Sequence, residues 1–368
     1  MLAHDSLLAT VIREPQRLGA LKPAEWDLLL PQARRAGMLA HVAFLTEKSG
    51  LKISGRAGEY LDGARVVSIR QAQAVHFEVK RIHSALAGSG IPVILLKGAA
   101  YQIADLPCST GRTFTDIDLL VPHDQLAIVE KSLRLHGWGA GHNSPYDERY
   151  YRKWMHEIPP LMHIRRQTVI DLHHAILPLT ARIKSDPQPL FENARALSGF
   201  ENLYVLAPAD MLLHSATHLF TEGDYNHGLR DLADLDALLR HFSTDPGFWK
   251  ELERRAEVLN LGRPLYYALH YCHAVLDTPI PTELARRNAP ALPTLMDALF
   301  GRALTPEHVS CADGLTGLAR ELLYIRGHWL RMPLHLLLPH LFHKAFLAER
   351  EAAKREKEKE NGALRPHP

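Results

Sequence analysis

The chain has 368 residues, with 43 Lys and Arg against 41 Asp and Glu, a formal charge of +2 before any of its 23 histidines titrates. A hydrophobic fraction of 46% beside 23% charged residues excludes disorder for most of the length and allows a sizeable core. The near balance of charge excludes attachment to nucleic acid through bulk charge, and no strong nucleic-acid signal stands elsewhere.

Three scattered cysteines, Cys108, Cys272 and Cys311, offer neither a CxxC nor a zinc spacing and make a poor disulfide framework. The first residues, MLAHDSLLATVIREP, carry Asp5 and no basic segment ahead of an apolar core, so no signal peptide is expected. The longest apolar stretch, residues 334–347, is interrupted by His335, Pro339, His340, His343 and Lys344 and is too short to span a bilayer. A cytoplasmic location is expected, with that stretch packing on the helical region.

The first ninety residues read as helices. Residues 27–37 lead into 38–45, where Gly50 stops the run, and residues 58–87 carry apolar positions at helical spacing. Residues 91–96 (IPVILL) then form a β-branched strand, followed by Lys97-Gly98 and a short helix over 99–104. Residues 106–114 have turn composition, and 116–121 (DIDLLV) make a second strand closed by Pro122. Residues 123–136 read as a helix, 146–154 as a polar insertion, and 160–164 with 168–172 as a hairpin around Arg165-Arg166-Gln167. From Pro208 onward helical spacing returns over 209–220, 229–241, 248–259, 264–276, 292–304, 315–325 and 333–347. The end, 349–360, alternates charge without an apolar stripe.

Asp116-Ile117-Asp118 lies inside the second strand. Side chains alternate faces along a strand, so the two acids share one side and Ile117 takes the other. Adjacent carboxylates repel; a hard divalent cation resolves this, and Mg²⁺ takes one or two carboxylates together with phosphate oxygens. The alternative is an exposed strand end with two solvated acids. Upstream, Lys97-Gly98 stands at a helix start, where backbone N–H groups collect anions and glycine permits close approach. A plain strand-to-helix turn would use the same residues, and strand alternation carried through Lys97 would point it away from the acids. Arg112 offers a planar fork to a phosphate or carboxylate.

Asp171, between Ile170 and Leu172, needs a partner or a metal. Three acids on two neighbouring strands match a two-metal phosphoryl or nucleotidyl transfer site. His173 shares Asp171's face and either orients the nucleophile or bonds a neighbouring carbonyl. His214 and His218 share a helix face at i and i+4, without the glutamate of HExxH and without a third zinc ligand at a supporting spacing. Arg230, Asp231 and Asp234 close over a substrate or form surface pairs.

These residues in this order resemble the bacterial uncharacterised nucleotidyltransferase family of the DNA polymerase beta-like superfamily. Its pattern is L-K-G, an arginine shortly before D-I-D-L-L-V, and a later D/E-L-H. Here these are Leu96-Lys97-Gly98, Arg112 with Asp116-Ile117-Asp118-Leu119-Leu120-Val121, and Asp171-Leu172-His173. The stretches 35–40 and 229–235 are also similar, so the resemblance covers roughly 28–239. It departs from the wider superfamily in having Ala99 where a serine or glycine usually follows Gly98, and in a longer interval to Asp116. A hydroxyl for the γ-phosphate would have to come from Ser109, Thr110 or Thr113.

The resemblance implies an α+β fold with a small mixed-sheet core at 90–180, N-terminal helices at 1–89, a helical acceptor-side region at 181–348 and a charged tail at 349–368. It implies transfer of an NMP group from an NTP, ATP being the expected donor, to an unidentified acceptor. Asp116 and Asp118 would bind both Mg²⁺ ions and Asp171 the catalytic one. Lys97, Gly98 and Arg112 would bind the nucleotide, with His173, His214, His218, Arg230 and Asp231 on the substrate side. The alternatives are a nucleotide- or partner-binding module without turnover and a metal-dependent glycosyltransferase. The latter would need a strand-rich domain before residue 90.

Overall fold

Short β-branched and apolar runs build one sheet at the centre of the chain. The computed structural model describes residues 6–140, 145–335 and 337. Its strands are β1 (Val93–Leu95), β2 (Asp116–Leu120), β3 (Trp138–Ala140), β4 (Leu161–His163), β5 (Val169–His173), β6 (Arg195–Ala196) and β7 (Leu203–Val205). They lie in the order β3-β4-β5-β2-β1-β7-β6. Pairs β2·β5 and β1·β7 are parallel, while β1·β2, β3·β4, β4·β5 and β6·β7 are antiparallel. The fold is α+β with a mixed sheet, as the sequence implies.

Helices α1 (Leu7–Arg13), α2 (Pro23–Arg35), α3 (Leu39–Lys48) and α4 (Gly55–Leu86) precede the sheet. No strand occurs among the described residues before Val93, so the strand-rich lead-in of the glycosyltransferase alternative is absent there. Leu61, Ser68, Val75, Val79, Ile82 and Leu86 form a buried stripe along α4. Further on come α5 (Lys97–Ile103), α6 (Leu126–Leu135) and α7 (Pro145–Trp154), and α4 packs on α3, α5 and α6. The turn between β4 and β5 is tied to α4 by Arg166, which pairs with buried Glu78 (2.9 Å, Nη2 to Oε2) and covers the Trp138 ring at 4.9 Å.

The polar insertion at 146–154 forms most of α7. Tyr150 and Trp154 fall one turn apart with ring centroids 6.1 Å from each other, and ion pairs add to that aromatic stripe. Arg152 joins Glu148 at 2.9 Å one turn back and Glu130 of α6 at 2.8 Å. Between 181 and 207, where the sequence pattern shows no element, stand α8 (Gln188–Glu192), β6 and β7. Two- and three-residue strands are too short to carry a period.

The C-terminal half comprises α9 (Pro208–Thr221), α10 (Gly228–Phe242), α11 (Phe248–Val258), α12 (Gly262–Leu276), α13 (Pro293–Ala303) and α14 (Thr316–Arg331). Helix α9 is buried almost all round and packs on α10, α11, α12 and α14. Its Asp210, fully buried, takes both Arg255 Nε (2.6 Å) and Nη2 (2.9 Å), a fork that ties α11 to α9. Arg326 and Arg331 of α14 donate to the carbonyls of Phe220 and Glu222, each at 2.8 Å, where α9 ends. The cysteines are unpaired and buried. No helix among the described residues is long and apolar enough to cross a membrane. The tail from 349, and 334–347 apart from 334, 335 and 337, lie outside the described residues.

The seat of α14 depends on one close approach. A Cβ on Gly327 would lie 2.8 Å from the Glu222 carbonyl oxygen and 2.9 Å from the Gly223 Cα. Gly327→Ala is therefore expected to cost about 1–3 kcal/mol and lower the melting temperature by several degrees. Gly317→Ala, in the same helix with nothing within 4 Å, should be neutral or slightly stabilising. Equal melting temperatures for the two variants would refute this packing.

Candidate active site

The parallel ladder between β2 and β5 sets Asp118 directly opposite Asp171, with Asp116 opposite Val169 and Leu120 opposite His173. Adjacent strands are about 4.8 Å apart and side chains alternate, so Asp116, Asp118, Asp171 and His173 share one face. Ile117, Leu119, Ile170 and Leu172 are buried on the other. The acidic face opens on a cavity of about 300 Å³. Lys97, Gly98, Arg112, Asp116, Asp118, Asp171, His173, His218, Arg230, Asp231 and Asp234 all line it. His214 does not; it is buried in α9, one turn before His218.

Glu157, Glu222, Tyr101, Ser215, Thr113, Phe114 and Thr115 complete the wall. Glu157 stands just before β4 and is bridged by its backbone to His173. Its signal in the sequence was the same as Asp171's, an acid beside apolar Ile158, but with no strand period to single it out. Glu222 follows the end of α9 and pairs with His218 at 2.8 Å. Of the three expected sources of a hydroxyl, Thr113 lines the cavity and Ser109 and Thr110 do not; Thr115 and Ser215 add two more.

The acids divide by their surroundings. Burial would raise the Asp118 carboxyl, but Lys97 (Nζ to Oδ1, 3.6 Å) and His173 (Nε2 to Oδ1, 3.1 Å) hold it well below the usual carboxylate range. Asp171 has no such partner. Burial first, then Asp118, Glu157 and Asp116, push its pKa up to about 7, and its buried Oδ1 has no hydrogen-bond partner among the described residues. Burial and Asp118 raise Asp116, and burial also raises Glu157. Burial works to lower His173, yet the hydrogen bond it donates to Asp118 and the charge of Glu157 raise it overall. A divalent cation would fit this donor set, since it would satisfy the orphaned oxygen and cancel the crowding.

Lys97 does not continue the strand. Its φ of +44° breaks the alternation and turns the ammonium toward Asp118. Burial alone would lower its pKa, but Asp118, Glu222, Glu157 and Asp116 outweigh burial and raise it. So the left-handed residue at this turn is the lysine, not the glycine. Gly98 serves packing: a Cβ there would lie 3.0 Å from both Arg112 Nε and Phe114 Cδ1. Arg112 in turn pairs with Asp234 of α10 and lies over the Tyr101 ring at 5.6 Å, and its Nε has no hydrogen-bond partner among the described residues. Tyr101 is hydrogen-bonded to Ser215 of α9 at 2.5 Å, and Arg230 pairs with Asp231 at 3.0 Å. One wall of the cavity is therefore sheet and α5, and the opposite wall is α9 and α10.

A family model described as an uncharacterised nucleotidyltransferase matches residues 22–277 of the chain. No curated protein and no solved structure matches it.

The carboxylate crowding has a direct readout. Asp171 is raised in the folded protein above an unfolded value of about 3.9. Its favourable contribution is complete below that value and is lost as pH rises through about 7. In chelator, Asp171→Asn should melt above the native protein at pH 8, by a few degrees or about 2–4 kcal/mol at most, and the gap should shrink toward pH 4. A gap independent of pH would show that no such repulsion exists.

Proposed function

The chain belongs to the uncharacterised nucleotidyltransferase family, and from that premise we propose that it transfers an NMP group from an NTP, ATP being the expected donor, to an acceptor hydroxyl or phosphate in a Mg²⁺-dependent reaction. The observation that carries this reading is the shared face of Asp116, Asp118 and Asp171, with an orphaned Asp171 oxygen in a polar cavity. Asp116 and Asp118 are assigned to both Mg²⁺ ions and Asp171 to the catalytic one. Bound Mg²⁺ would neutralise the triphosphate and lower the pKa of the attacking hydroxyl.

In the transfer an acceptor oxygen bonds to the α-phosphorus, the bridging bond to the β-phosphate breaks, and pyrophosphate leaves with that electron pair. The acceptor's proton passes to Asp171. Lys97 and the uncapped amino end of α5 face the phosphates, and Arg112 adds positive charge to the same cavity. Thr113, Thr115 and Ser215 supply hydroxyls where Ala99 has none. His173 holds Asp118 in place through its ring nitrogen.

Transfer chemistry is assigned to residues 90–180 and acceptor recognition to 181–348. His218, Arg230 and Asp231 lie across the cavity from the acids and are the substrate-side groups; His214 supports His218 from within α9. Ala99, buried at the head of α5, favours a second reading in which the chain binds nucleotide without turnover.

Titration of the four NTPs with Mg²⁺, alongside pyrophosphate release with candidate acceptors, separates these readings. The native chain should bind at least one NTP only with Mg²⁺, and Asp116→Asn should weaken that binding at least tenfold. Pyrophosphate release should fall by about 10²–10³-fold in Asp118→Asn. Equal binding by native chain and Asp116→Asn would overturn the assigned site. Binding without release, across acceptors, would favour the second reading.

A further inference from the structure

Beside the carboxylate face lies a donor set of different chemistry. His156, Glu157 and His173 each offer one ligand atom, and the three atoms lie within 4.8 Å of one another. The segment holding His156 and Glu157 is fastened to β5 by its backbone. Glu157 bridges His173, and the amide of His174 donates to the His156 carbonyl at 2.8 Å. The two imidazole rings are 5.2 Å apart.

Two buried nitrogens in this set have no hydrogen-bond partner among the described residues, His156 Nδ1 and His173 Nδ1. His173 Nδ1 is 3.3 Å from Glu157 Oε2, within ion-pair reach but out of line for a hydrogen bond. His156 is 7% exposed and His173 3%. Buried ring nitrogens without partners are costly, and two imidazoles whose ligand atoms cluster with one carboxylate oxygen ask for a common ligand. Burial favours the neutral form of His156, which has a lone pair to give. Lys97 and Arg331 bring positive charge nearby, against the negative charge of Glu157, Glu222 and Asp118.

Two imidazoles and one carboxylate suit a borderline transition ion such as Zn²⁺ or Co²⁺; Mg²⁺ prefers oxygen throughout. We propose that His156, Glu157 and His173 bind one such ion, at a site separate from Asp116, Asp118 and Asp171. His173 Nε2 already meets Asp118 Oδ1 at 3.1 Å. With its Nδ1 on the ion, the ring carries its proton on Nε2 and donates it to Asp118, which completes a carboxylate–histidine–metal relay. The ion thereby sets the orientation of Asp118 from behind. Glu157 and His173 line the cavity, so an open coordination position faces it. The inference requires no transfer activity.

The test is Co²⁺ titration of the metal-stripped full-length chain, read by visible d–d absorption and bound-metal analysis. One Co²⁺ per chain with nitrogen-ligand bands is expected, unaffected by millimolar Mg²⁺ and retained in Asp116→Asn. His156→Gln and the isosteric Glu157→Gln should each weaken binding at least 100-fold, with native circular dichroism certifying the fold. No stoichiometric Co²⁺ spectrum in the native chain would overturn the site. So would a spectrum that survives both substitutions, or one that disappears in Asp116→Asn. Loss of NTP binding in Asp116→Asn with the Co²⁺ spectrum intact would support both sites separately.

Discussion

Asp118 and Asp171 are held opposite one another by a parallel ladder whose reverse face is core. A slip of either strand by one residue would send its acids into that core and bring its apolar residues, Ile117 and Leu119 or Ile170 and Leu172, out to the cavity. Hydrophobic burial on one side of the sheet therefore enforces like-charge contact on the other. The repulsion cannot relax by moving a strand, and it reappears as displaced proton affinity at Asp171 and Asp116.

The surroundings answer that constraint unevenly. Asp118 receives Lys97 and His173, while Asp171 Oδ1 has no hydrogen-bond partner among the described residues. Lys97 reaches Asp118 only through a left-handed backbone, a conformation that costs a non-glycine residue of order 1 kcal/mol. Arg112 and Phe114 lie so close to Gly98, the next residue, that a Cβ there would be 3.0 Å from each. Partners that favour one carboxylate and leave another unsatisfied are what support the proposed cation site.

The helical half is part of the same arrangement. Helix α9 carries Ser215, His218 and, just past its end, Glu222 to the cavity, while α10 brings Arg230, Asp231 and Asp234. The position of Glu222 depends on α14, whose arginines take the last carbonyls of α9 and whose Gly327 allows backbone contact. Packing more than 100 residues away in sequence thus shapes the wall facing the sheet.

Much of this was legible in the linear chain because it is local. Alternation within β2 and β5, an acid between apolar neighbours, the helical periods and the short turn of the 160–172 hairpin are all properties of a few adjacent residues. They determine the α+β class and single out Asp116, Asp118 and Asp171. The direction of Lys97, the packing role of Gly98, the helix at 145–154, the strands at 195–205, and the arrival of Glu157 and Glu222 were decided only in three dimensions. Each depends on contacts between segments that no local period encodes. The Lys97 ammonium meets a carboxylate from another strand, α7 is tied by ion pairs to α6, and a two-residue strand depends on the ladder it joins.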